Sequence, residues 1–135
     1  MTSAEALSAA LAVLRRDELA AYTRMTDWLG RMTVGFDLPE ESFVVRGGKD
    51  VLVLPEAPQP IEVKVRTDRD TVIALIDGDL QLLEAVEGRR LDLVADVSLM
   101  VPLARAARAF AEGTARARRV RPILEAYRQK CREHM

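Results

Sequence analysis

At 135 residues, with 49 % apolar and 30 % charged side chains, the chain has the size and composition of one globular domain with a buried core, not of a disordered or membrane-embedded protein. A formal net charge of −1 supplies no global field toward nucleic acid or anionic lipid, and aromatic residues at 4 % are too few for base-stacking platforms. Cys131 is the sole cysteine, which excludes an intrachain disulfide and suits a reducing compartment.

Residues 1–35 read as an N-terminal helical segment. The start lacks the basic-then-apolar layout of a secretion signal, and no apolar run reaches membrane-spanning length, so a cytoplasmic protein is expected. No proline occurs over 4–33, and Leu7, Leu11, Leu14, Met25, Trp28 or Leu29, and Met32 recur at helical spacing as one apolar stripe. Glu18 interrupts the stripe, and Gly30 and Gly35 offer stopping points. Ser42–Arg46 and Asp50–Leu54, joined across Gly47 and Gly48, read as a β-hairpin whose glycines supply positive φ. Pro55, Pro58 and Pro60 stiffen the next connection. Ile61 to Arg66 alternates strictly, with Ile61, Val63 and Val65 on one face, and is the clearest strand.

Thr67 or Asp68 then caps a helix, with Asp70 in capping-box position, Val72, Leu75 and Ile76 on its buried face, and Gly78 at its end. Asp79 caps a second short helix carrying Leu80, Leu83 and Val86, ended by Gly88. Leu91, Leu93 and Ala95 alternate as the last strand. Asp96 or Ser98 opens a helix with Leu99, Leu103, Ala107 and Phe110 on its apolar side, Pro102 near its start and Gly113 closing it. A basic C-terminal helix occupies 118–135, starting near Val120 with Pro122 in its first turn. The order is α–β–β–β–α–α–β–α–α, an α+β single domain.

The stretch from Ile61 to Phe110 resembles the type-two sterol carrier family. The residues that carry the resemblance are the alternating strand ending in Thr67-Asp68, Ala74-Leu75 and Gly78 on the next helix, and Gly88-Arg89-Arg90-Leu91. A closing strand leading to Asp96 and an amphipathic helix complete it. The hairpin and prolines from Phe43 onward resemble that family's lead-in, so the likeness covers 43 to about 112. Two departures stand out: Ala95 occupies a position usually held by glycine, and helix is offered where the family has more strand, so a reduced sheet is expected. The resemblance implies a twisted, mostly antiparallel sheet of four to five strands with helices on one face and an apolar tunnel between the layers. It also implies binding of sterols, acyl chains or other lipids without a cofactor.

The apolar set Met25, Trp28, Val63, Val65, Val72, Leu75, Ile76, Leu83, Leu99, Met100, Leu103 and Phe110 is either tunnel lining or plain core, which periodicity cannot separate. Met25, Trp28 and Met32 either close one end of a tunnel or form a dimer contact. Glu18 is the one catalytic candidate: buried, it is a polar anchor or acid; rotated outward, it is simply solvated, the simpler reading. Asp68, Asp70, Asp77 and Asp79 sit at helix ends, where capping explains them without acid–base chemistry. His134 is penultimate and Cys131 is near the same end, so no metal or thiol site is supported. Gly47-Gly48 lies inside a hairpin and is no phosphate loop. Arg116, Arg118, Arg119 and Arg121 concentrate positive charge toward the C-terminus; the choice there is between a solvated face and a dock for an anionic surface or an acidic carrier protein, with no nucleic-acid motif alongside. Three functions follow in order: a carrier of an apolar small molecule, a cyclase or isomerase using the same pocket, and a dimerising interaction module.

Overall fold

The computed structural model describes residues 1–56, 60–77 and 80–133, with side chains through 128 in the last helix. Pro58, Gly78, Asp79 and His134 lie outside the described residues, as do the side chains of Lys130, Cys131, Arg132 and Glu133. In chain order the elements are α1 (Ser3–Asp17), α2 (Leu19–Leu29), β1 (Thr33–Asp37), β2 (Ser42–Arg46), β3 (Leu52–Leu54), β4 (Val63–Arg66), α3 (Arg69–Asp77), α4 (Leu82–Glu87), β5 (Asp92–Ala95), α5 (Val97–Arg116) and α6 (Val120–Glu133).

The strands form one five-stranded sheet in the order β3-β2-β1-β4-β5. Three neighbours pair antiparallel and β1 pairs β4 in parallel. This confirms the α+β class and the mostly antiparallel sheet, and it corrects the expected reduction. The first 35 residues are not all helix. Glu18 ends α1 and starts α2, Gly30 caps α2 at φ 59°, and Thr33–Asp37 becomes the central strand. The apolar stripe concealed β1 because Met32 and Val34 are buried on either side of the helix-to-strand switch.

Paired residues place two apolar rows on one face of the sheet. Val53, Val45, Val34, Val63 and Ala95 form one row, and Phe43, Phe36, Val65 and Leu93 the other. Phe36 and Phe43 stack with ring centroids 5.0 Å apart. The opposite row runs Leu54, Val44, Gly35, Lys64 and Val94, and Val94 there is 67 % exposed. Ile61 was expected beside Val63 and Val65, yet regular strand begins only at Val63. Its side chain crosses to the outer face and lies over Gly35, where an added Cβ would come within 3.0 Å of Ile61 Cδ1.

Helix ends are set by local chemistry. Asp68 Oδ1 accepts from Thr71 N–H at 2.8 Å and so caps α3, while Thr67 Oγ1 instead donates to the Arg90 carbonyl at 3.0 Å. Asp96 stands at the N-cap of α5. Gly113 does not close that helix. It lies within it, at the crossing with α1 and α2, where a Cβ would fall 2.5 Å from Leu14 Cδ2 and 3.0 Å from Ala21 Cβ. Ala21 is buried there, and these two small residues let α5 settle against α2.

The two ends of the chain are joined under α6. Tyr127 is fully buried and its hydroxyl hydrogen-bonds Ser3 Oγ, itself fully buried. Ser3 N–H donates to Glu41 Oε1 at 2.5 Å, and the Arg69 guanidinium sits 5.6 Å over the Tyr127 ring while Arg69 Nε bonds Glu40 Oε1 at 2.8 Å. Tyr127→Phe removes a hydroxyl from a site closed to water. The expected loss is about 1–2 kcal/mol of unfolding free energy, read as a lower denaturant midpoint at unchanged slope.

Candidate functional site

Between the inner face of the sheet and the helices lies a cavity of about 150 Å³. Val34, Phe36, Phe43, Val45 and Val65 form its floor, with Val51 beside them. Leu7 and Leu11 of α1, Met25 and Leu29 of α2, Val72, Leu75 and Ile76 of α3, and Leu103, Ala106 and Phe110 of α5 form its walls and roof. The two-residue alternation of the strands and the three-to-four spacing of the helices aim these side chains inward. Gln81 is the one polar side chain among the described lining residues, which include no carboxylate, imidazole, hydroxyl or amine. The lining residues that retain exposure include Leu7, Leu75, Leu80, Gln81, Leu82, Ala107 and Phe110, which marks the opening among α1, α3, α5 and the start of α4.

Of the residues singled out in the sequence, Met25, Val65, Val72, Leu75, Ile76, Leu103 and Phe110 line this cavity. Val63 is fully buried on the same sheet face but outside the lining, and Leu99 packs partly buried against the core. Met100 is half-buried and also outside it. Leu83 is 53 % exposed: α4 starts at Leu82, later than a cap at Asp79 requires, and that shift in phase turns Leu82 and Ala85 inward and Leu83 out. Trp28 closes no end of the cavity. It is 41 % exposed on α2, with the Arg105 guanidinium 4.6 Å above its ring. Met32 is buried core.

Glu18 lies outside the lining. It is half-buried at the break between α1 and α2, where its backbone N–H donates to Leu14 O and its carbonyl accepts from Tyr22 N–H at 3.0 Å. Asp77 accepts from Arg128 Nη2 at 2.7 Å, an ion pair that anchors α6 to α3. Arg116, Arg118, Arg119 and Arg121 are all exposed, and Arg119 Nε lies 3.4 Å from Asp17 Oδ2. Among the described residues no group of three or more His, Cys, Asp and Glu side chains is arranged to hold a metal ion. No helix in the described residues is long and apolar enough to cross a membrane.

Sequence reasoning missed Leu7, Leu11, Val34, Phe36, Phe43 and Val45 as lining. Leu7 and Leu11 were visible as part of the first apolar stripe. Val34 and Phe36 were not, because β1 was hidden in the expected helical segment; Phe43 and Val45 lay on a strand that the sequence marks, without a sign that its inner face borders a hollow.

The architecture is that of a small α+β domain whose sheet is roofed by helices over an apolar hollow. Its fold is the sterol carrier protein 2 fold. The structure superposes on the sterol carrier protein domain 2 of Helicoverpa armigera with a TM-score of 0.60 and 16 % identity, covering 78 % of this chain and 84 % of that one. The ubiquinone synthesis protein UbiJ-SCP2 gives a TM-score of 0.58 and 19 % identity over 78 % of this chain and 86 % of its own. The apo form of sterol carrier protein 2 from Yarrowia lipolytica gives 0.53 and 13 % over 79 % and 87 %. At such identities the likeness defines the fold. No protein-family model and no curated protein matches the sequence.

Proposed function

We propose that the protein binds an apolar small molecule in the cavity between the sheet and helices α1, α2, α3 and α5. The observation that carries this reading is an open hollow of about 150 Å³ with Gln81 as its one polar side chain among the described residues. Native interiors are packed to crystal-like density, so an unfilled apolar space of this size forfeits dispersion contacts that a ligand restores. A dry cavity of about this volume accepts benzene, whereas drug-sized ligands occupy about 300–1,000 Å³. The occupant is therefore a small ring or the end of an alkyl chain, with longer chains leaving through the opening beside Leu75 and Gln81. Six buried methylenes contribute about 5 kcal/mol, which offsets the lower estimates of the association cost. The fold shared with sterol carrier proteins supports the same reading, as does the lack of titratable groups among the described lining residues.

Calorimetric titration with toluene tests it. Saturable 1:1 binding with a negative heat-capacity change is expected. Heats that stay at the dilution baseline up to the solubility limit, with no rise in melting temperature, contradict it.

A further inference from the structure

The cavity lining carries a second piece of information, about the head of the ligand and not its body. Among the described lining residues there is no lysine, arginine or histidine, so nothing there can neutralise an anion. An ionised carboxylate drawn into such a space loses its hydration and gains no counter-charge. Gln81 differs from its neighbours. It precedes α4 in extended conformation at ψ 152°, makes no side-chain bond to the helix it caps, and stands at the exposed edge of the lining beside Leu80 and Leu82. A primary amide offers two N–H donors and a carbonyl acceptor, the complement of a hydroxyl, ketone or ester.

Resting on the apolar-ligand reading above, we infer that the cavity selects amphiphiles with an uncharged polar head over ionised fatty acids, and that Gln81 is the selecting residue. A hydroxyl at the opening trades its water for the Gln81 amide at little loss, while a carboxylate there gives up the part of its hydration shell that faces the lining for one neutral donor. An ammonium head is disfavoured for the same reason, since Gln81 offers it one carbonyl and the described lining residues no carboxylate.

Calorimetric titration of the whole protein at neutral pH with toluene, hexanol, hexanoate and hexylammonium separates these cases. Hexanol should bind roughly tenfold or more tightly than either charged probe. Gln81→Leu should weaken hexanol about threefold to tenfold relative to toluene, which has no head group for the amide to meet. Gln81→Lys supplies the missing cation and should raise hexanoate affinity about fivefold or more relative to toluene. If hexanoate binds the native protein within tenfold of hexanol, or if neither substitution moves the alcohol-to-acid ratio, the inference is wrong while toluene binding keeps the cavity reading intact. Failure of all four probes to bind removes the cavity reading and the inference together.

Discussion

Gly47→Ala is expected to destabilise the protein by about 3 kcal/mol, near the top of the range for inserting a carbon where no space exists. An added Cβ would fall 2.3 Å from the Gly30 carbonyl oxygen, 3.2 Å from its carbonyl carbon and 3.0 Å from Leu29 Cγ. The first two are backbone atoms at the end of α2, held by the Gly30 N–H bond to Thr26 O, so neither can swing aside. The Gly47 N–H also donates to Met32 O at 2.9 Å, and this bond ties the end of β2 to the entry of β1. Pushing the two segments apart loses that bond and tilts the central strand under the cavity. For a chain of this size the shift corresponds to a melting temperature lower by roughly 10 °C. Gly48→Ala is the control: its Cβ would meet nothing nearer than Asp50 O at 3.8 Å, so a change within about 0.5 kcal/mol is expected. Equal effects at the two glycines would show that turn entropy, not close approach, governs this site.

The second large effect concerns binding. Ala106 is 4 % exposed, lies on α5 and faces the cavity. Ala106→Phe adds a ring of about the size that the hollow should accept. Overpacking a filled core costs about 1–3 kcal/mol, but here the ring enters space already vacant, so stability should change by about 1 kcal/mol or less. Toluene affinity should fall at least about a hundredfold, or roughly 2.7 kcal/mol. A variant that melts near the native temperature and has lost binding places the ligand inside the hollow. One that still binds toluene normally places it elsewhere.

Much of the architecture was legible because local signals and tertiary packing agreed. Val63 and Val65 alternate with Lys64 and Arg66, and the structure buries the first pair and exposes the second. Asp68 and Asp96 mark helix starts, and Val120 with Pro122 opens the last helix. The failures share a cause: residues serving a tertiary contact that sequence spacing does not encode. Gly35 resembled a helix stop, yet it is a strand residue kept bare so that Ile61 can lie across it. Gly113 resembled a helix end, yet it is mid-helix against Leu14 and Ala21. Gly47 resembled a turn residue needing positive φ, and among the described glycines only Gly30 adopts it.

The site was half legible for a related reason. Val72, Leu75, Ile76, Leu103 and Phe110 lie on helices whose boundaries were nearly right, so their inward phase was right. Leu83 and Trp28 were placed wrongly because a shift of two residues in a helix start, or an arginine stacked on a ring, decides which way a large side chain faces. Gln81 gave no signal at all: it stands out only as the one polar side chain among the described lining residues, a setting that the sequence does not display.

Methyl-resolved NMR during titration with toluene addresses the central claim most directly. Saturable shifts should concentrate on Val34, Val45, Val65, Val72 and Leu103, whose methyls surround the hollow, and leave the exposed Leu83, Val97 and Val101 unmoved. Shifts confined to those exposed residues, or none at any concentration toluene can reach, would mean that the space beneath the sheet holds no ligand.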